Sequence, residues 1–393
     1  MVQTTPAASA PPAGNVHLAG LDIFFQSDRA GIRGDLVHQL ASYIAATRET
    51  LDCAIYDLRH PTVLQALARV AHSGKRLRIA YDAGKQRSGG PRADPKPSGT
   101  AEAIHEAGLA DFATPVHAGR FLMHDKFLVR DGDAVWTGSA NFTRGGLELQ
   151  DNNCLAIRSR ELAQAYAATF EGLLGPRHPH TMTNRVQTAR RRLAQAAAIA
   201  VGDSSLTPLF EPAAGEDVET AIVAGLQRAR RVRLLTFLIS DPSILQALSR
   251  FRDRPHADIR GVYDPNGMRG GMRGKDPSLF WFLRDRRFVA APSHRFDPTR
   301  EQDFMHNKVM ILDDQVVLTG SYNFSESAES NDENALRIQS RHVAEAYSRY
   351  FDSLFTTYST HSAQRSRGHP GSSADKPVLA RVAVGRISGD RLG

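Results

Sequence analysis

The chain has 393 residues, 41% of them hydrophobic, with a formal net charge of +7 and a pI near 9.6. That length allows one large core or two ordinary domains, and two is the better expectation. No apolar run approaches the roughly 20 residues that a spanning helix needs, and Cys53 and Cys154 alone make neither a disulfide framework nor a metal-site spacing, which points to a reducing cytoplasm.

In chain order, residues 1–19 are predicted to be a disordered leader. The opening MVQTTPAASAPPAGNVH lacks both the basic start and the apolar core of a secretory signal. A first lobe is predicted over 20–175. It contains Leu51–Val70 (LDCAIYDLRHPTVLQALARV), which reads as a strand followed by a helix opened by Pro61. A second strand ends at Tyr81 and Asp82, and the Gly-rich basic segment GKQRSGGPR follows at Gly84–Arg92.

A connector is predicted over 176–206, with its ARRRLAQAAAIAV portion helical by propensity. The second lobe, 207–358, repeats the first. Val232–Phe251 (VRLLTFLISDPSILQALSRF) again gives strand, Pro-started helix and LQAL. Tyr263 and Asp264 then open a second Gly-rich basic segment, GMRGGMRGK at Gly267–Lys275. Loops leaving the carboxyl ends of strands line the cleft in α/β proteins, so both segments are placed at the rim of one site. The aromatic run SLFWFL (Ser278–Leu283) reads as core, with lipid contact as the other reading. The tail, 359–393, carries six Lys or Arg against two Asp, so +4 of the +7 resides in a segment predicted to be disordered.

The most informative feature is a phrase written twice. MHDKFLVRDGDAVWTGSANFT (Met123–Thr143) and MHNKVMILDDQVVLTGSYNFS (Met305–Ser325) share ten of 21 positions, several of them polar. Core packing preserves an apolar pattern without fixing His, Lys, Ser and Asn. Within each copy His124 and Lys126, or His306 and Lys308, alternate on a strand and share a face. Asp131 and Asp313 then mark a turn. The returning strand brings Ser139 and Asn141, or Ser321 and Asn323, back beside the His. Across a pseudo-twofold interface the two sets converge.

That convergence has a chemical reading. Ammonium and amide donors suit phosphate oxygens and stabilise a pentacoordinate phosphorane. One imidazole attacks phosphorus while the other protonates the leaving oxygen and later activates water. The lysines supply the positive charge that a metal supplies elsewhere, so neither metal nor cofactor is expected.

The pattern H-x-K-x(4)-D-x(6)-G-S-x-N resembles the signature of the phospholipase D superfamily. It is present complete in His124, Lys126, Asp131, Gly138, Ser139, Asn141 and again in His306, Lys308, Asp313, Gly320, Ser321, Asn323. The resemblance covers about residues 20–358 and implies two α/β/α lobes with one active site at their interface, a covalent phosphohistidine and no metal. It makes His124 the nucleophile and His306 the general acid, with the reverse assignment open. It also implies an acidic residue about ten positions after the motif Asn that orients a catalytic His. Glu333 matches in the second half and Asp151, one methylene shorter, in the first.

The superfamily cleaves phosphodiesters in nucleic acids and in lipids. The Arg- and Gly-rich segments and the basic tail favour an endonuclease acting on nucleic acid. The alternative is a phospholipase D or phosphatidyltransferase acting on phospholipid. With both half-sites in one chain, an intramolecular pseudo-dimer active as a monomer is expected.

Overall fold

The computed structural model describes residues 14–84, 99–116, 121–175, 198–212, 217–295, 297 and 300–368. Two sheets organise it. The first runs, in spatial order, through Asn15–Leu18, Leu21–Ser27, Asn152–Arg158, Ala134–Gly138, Lys126–Arg130, Thr50–Ile55, Arg76–Asp82 and Ala113–Val116, with Ile32–Arg33 paired at one side. The second repeats that order with Ile199–Val201, Ser204–Glu211, Glu333–Gln339, Val316–Gly320, Lys308–Leu312, Arg231–Thr236, Asp258–Tyr263 and Phe288–Ala290.

The repeated strand, Pro-started helix and strand appear as read. Thr50–Ile55 and Arg76–Asp82 pair in parallel across the helix Pro61–Ala71, and Arg231–Thr236 and Asp258–Tyr263 across Pro242–Arg252. Both helices begin with Pro at a position that needs no N–H, capped by His60 Nδ1 on Thr62 N–H (3.2 Å) and Asp241 Oδ1 on Ile244 N–H (2.9 Å). Each lobe has its own outer core, built on Leu40, Leu67 and Trp136 in one and Ile222, Leu248 and Phe282 in the other. A third core is shared. Phe127, Tyr166 and Phe170 of the first lobe join Val309, Tyr347, Tyr350 and Phe351 of the second, so the lobes pack as one body.

Several expected boundaries move. Asn15–Leu18 is already strand, because its residues pair with Leu21–Phe24, whereas 1–13 lie outside the described residues. Most of the connector, 176–197, also lies outside them. Its end is strand rather than helix: Ile199–Val201 pairs with Ser204–Leu206 and starts the second sheet. The last helix spans Arg341–Gly368 and buries Tyr358, so the folded chain runs past 358. GMRGGMRGK is partly helical, within Pro265–Gly271, while residues 85–92 of the first basic segment are outside the described set. SLFWFL lies in a short 3₁₀ helix that buries Phe280 and Phe282 in the outer core.

Candidate active site

The motif strands Lys126–Arg130 and Lys308–Leu312 sit mid-sheet, and His124 and His306 precede them at the seam between the lobes. The backbones cross there. His124 N–H donates to Asp332 O (2.8 Å), and His306 N–H donates to Asp151 O (3.0 Å). Each histidine is thus fixed by the other lobe.

The same exchange orients the rings. His124 Nδ1 lies 2.8 and 2.9 Å from the Glu333 carboxylate oxygens, and Ser321 Oγ donates to that carboxylate at 2.6 Å. His306 Nδ1 lies 3.2 Å from Asn152 Oδ1, to which Ser139 Oγ donates at 2.7 Å. Asn152 Nδ2 donates to Gly146 O (2.8 Å) and Gln150 Oε1 (3.2 Å), which fixes the amide with its oxygen toward the ring. Both histidines therefore have Nδ1 engaged and Nε2 directed away from that partner.

This corrects the expectation for Asp151. Its carboxylate accepts from Tyr358 Oη (2.6 Å), and only its backbone reaches His306. The structural counterpart of Glu333 is Asn152, as the matching bonds from Ser139 and Ser321 establish. The reason is local: Gly145–Leu149 forms a π-helical turn where the second lobe has the 3₁₀ turn Glu326–Ser330. A π turn accommodates one extra residue, so counting ten from Asn141 falls one short.

Lys126 Nζ donates to His124 O (2.7 Å) and Lys308 Nζ to His306 O (2.5 Å), and both lysines are 1% exposed. Tyr56 and Phe237, missed in the sequence, occupy equivalent places. Tyr56 lies 4.9 Å from the His124 ring with Lys126 5.3 Å above its face; Phe237 lies 5.5 Å from His306 with Lys308 at 5.6 Å. The side-chain oxygens of Asn141 and Asn323 are buried without a partner among the described residues. Asp82, also missed, holds the start of the first motif through Met123 N–H (2.7 Å).

Asp131 and Asp313 stand at the far end of the motif strands, with φ of 53° each. Asp131 accepts the N–H groups of Arg48, Glu49 and Thr50, and Asp313 those of Arg230 and Arg231. They fasten each hairpin to the neighbouring strand and do not reach the cleft. Asp125 and Asn307 turn away from the site, as alternation requires. Asn334 Nδ2 donates to Asp125 Oδ1 and Asn153 Nδ2 to Asn307 Oδ1, both at 2.8 Å, joining the lobes reciprocally. Gly138 and Gly320 (φ 150° and 152°) leave no space for a side chain, since a Cβ would meet Asn153 O at 2.2 Å or Asn334 O at 2.3 Å.

Burial governs the electrostatics. It lowers both histidines well below the usual range, with the Lys126 and Lys308 charges adding to the effect. Burial also brings Lys126 down to about 8 and raises Glu333 to about 8, which favours an uncharged His124–Glu333 pair. An anion between the lysines would offset their charge and so weaken one of the causes that lower the histidines, burial being the larger.

Comparison with known proteins agrees with this architecture. A family model described as "Cardiolipin synthase, PLD-like domain" matches residues 40–174 and again 222–355, more than half of the chain. The chain belongs to the phospholipase D superfamily. A mitochondrial cardiolipin hydrolase of Xenopus laevis is 28% identical over 148 residues, 35% of this chain and 60% of that protein. A phospholipase D of Rickettsia prowazekii is 47% identical over 53 residues, 13% of this chain and 26% of that protein. The chain thus matches less than two thirds of the length of either relative. The solved phosphatidylserine synthase of Haemophilus influenzae Rd KW20 shares the fold with a TM-score of 0.59, covering 91% of this chain and 96% of its own at 14% identity. No helix among the described residues is long and apolar enough to cross a membrane.

Proposed function

We propose that this protein is a phospholipid phosphodiesterase that cleaves or exchanges a headgroup through a phosphohistidine, without a metal in the chemical step. The observation that carries the reading is the pair of Nδ1-anchored histidines, one per lobe, set beside two buried lysines. The lipid substrate is supported by the family description and by the printed names of the relatives, a cardiolipin hydrolase and a phospholipase D. This reverses the preference for nucleic acid drawn from the basic segments. In the second segment Arg269 is tied to Asn266 (2.7 Å) and Lys275 to Glu326 (2.7 Å), which diminishes its claim as an open phosphate track.

In the proposed cycle the Nε2 lone pair of His124 attacks phosphorus and the bond to the headgroup oxygen breaks. His306 Nε2–H gives its proton to that oxygen, releasing the alcohol. His306, now neutral, takes a proton from water, whose oxygen attacks phosphorus as the P–N bond to His124 breaks. Phosphatidate leaves, and an alcohol in place of water gives exchange. Glu333 stabilises the positive phosphoimidazole on His124, while the lysines and the Asn141 and Asn323 amides hold the phosphoryl oxygens.

The test is an assay with chelator present: phosphatidylcholine and cardiolipin vesicles in one set, single-stranded DNA, duplex DNA and RNA in the other, each with His124→Ala as control. The proposal expects His124-dependent headgroup release. Nucleic-acid cleavage without lipid turnover would overturn the lipid reading and restore the nuclease.

A further inference from the structure

His306 takes its orientation from an amide, and an amide has two unlike ends. The oxygen accepts from Nδ1–H and leaves the Nε2 lone pair free, whereas the NH₂ group would face an Nδ1 lone pair and put the proton on Nε2. Asn152 presents its oxygen, at 3.2 Å, because Gly146 O and Gln150 Oε1 hold its Nδ2. Gly146 belongs to the π-helical turn Gly145–Leu149, and Gln150 closes that turn. The placement of the turn therefore decides whether His306 can act as a base.

Glu301 of the second lobe fastens the turn. Its Oε2 accepts from Gly145 N–H, the first residue of the turn, at 2.9 Å. The backbone beside it is pressed against the same residue, since a Cβ on Gly145 would meet Gln302 O at 2.8 Å. Gln302 braces its own segment, donating from Nε2 to Asp297 O and Arg300 O, each at 2.7 Å. Two residues further on, Phe304 O accepts from Asp151 N–H at 3.0 Å, and His306 follows. The segment 301–306 thus delivers His306 from the second lobe and also grips the first-lobe turn that orients its ring.

We infer that Glu301 is a positioning residue for His306, acting across the seam through Gly145 and Asn152. A carboxylate makes a stronger bond to N–H than a neutral acceptor does. Its role is indirect: Glu301 holds the turn, the turn holds the amide, and the amide holds the ring. The inference rests on the proposed cycle, in which His306 protonates the leaving oxygen and then activates water.

The experiment uses the full chain, stopped-flow turnover of bis(p-nitrophenyl) phosphate, whose leaving group needs little protonation, and a thermal melt at the same pH. In Glu301→Ala the first nitrophenolate should still appear as a burst of about one per protein, because attack by His124 is untouched. Steady-state kcat should fall by roughly ten- to hundredfold, the cost of a catalytic group displaced by about 1 Å. The ratio kcat/KM, set by the first step, should stay near wild type, and so should Tm. Glu301→Gln keeps an acceptor for Gly145 N–H and should recover most of kcat. In an Asn152→Ala background Glu301→Ala should cost little more, since both changes act on one ring. A kcat of Glu301→Ala within about twofold of wild type overturns the inference. So do losses that multiply in the double variant, or a burst rate and Tm that fall together. A wild type that releases no nitrophenolate overturns the phosphodiesterase reading, and this inference with it.

Discussion

Glu333→Gln separates the charge behind His124 from its shape. The amide keeps the volume and an oxygen able to accept from Nδ1, so the ring stays in place while the group 2.8 Å away can no longer become a carboxylate when His124 turns positive. A hydrogen bond to a charged group contributes about 1.5–3 kcal/mol. If that stabilisation is expressed only once the phosphoimidazole forms, kcat should fall by ~10- to 150-fold, at about 1.4 kcal/mol per factor of ten. Stability should not fall at neutral pH, because burial already holds Glu333 largely protonated below its value of about 8. The assay is steady-state turnover of bis(p-nitrophenyl) phosphate and of vesicle lipid, with a melt at pH 7. A variant with kcat within twofold of wild type would refute the assigned role of the carboxylate. A large drop in Tm would mean that Glu333 acts in packing.

The remaining predictions concern the partner histidine, the seam and the backbone. Asn152→Asp places a carboxylate against His306 Nδ1 and should raise that histidine, moving the alkaline limb of the pH–rate profile upward; an unmoved limb argues against the 3.2 Å contact. His124→Ala and His306→Ala should each abolish lipid turnover while chelator leaves wild-type turnover in place, and full activity in either variant defeats the paired mechanism. Asp125 is raised by burial to about 7. A carboxyl raised on folding contributes stability below its unfolded value that is lost as pH climbs through 7, a cost of up to ~4 kcal/mol above it. Asp125→Asn, copying Asn307 of the other lobe, should therefore leave Tm at pH 4 nearly unchanged and raise it at pH 8; equal Tm at both pH values contradicts this. Gly138→Ala should lower Tm severely, since its Cβ would sit 2.2 Å from a carbonyl oxygen; a melt like wild type would refute the packing.

The sequence carried much of this because the repeat is polar and exactly spaced residues such as His124, Lys126, Ser139 and Asn141 cannot be explained by burial alone. The βαβ units were legible from Pro61 and Pro242 at the helix starts, and Asp131 and Asp313 from their turn chemistry. What was lost lies in contacts between distant segments. Asn152 was hidden because one residue is absorbed in the π turn at Gly145–Leu149, a register change that no periodicity reveals. Tyr56 and Phe237 looked like the ends of apolar strands, and only the folded seam sets them against the histidines. The Ala-rich run that ends in Ile199–Val201 favours helix by propensity, and pairing with Ser204–Leu206 overrides it.

The central claim is that a histidine of one lobe forms a covalent bond to phosphorus while a histidine of the other serves the leaving group. Its most direct measurement is intact-mass and peptide mapping of His306→Ala, acid-sparing quenched after reaction with bis(p-nitrophenyl) phosphate, whose leaving group needs little protonation. The account predicts one aryl-phosphoryl adduct, mapped to His124 and missing from His124→Ala. An adduct on a residue other than a motif histidine, or turnover with no adduct at any quench time, would contradict it.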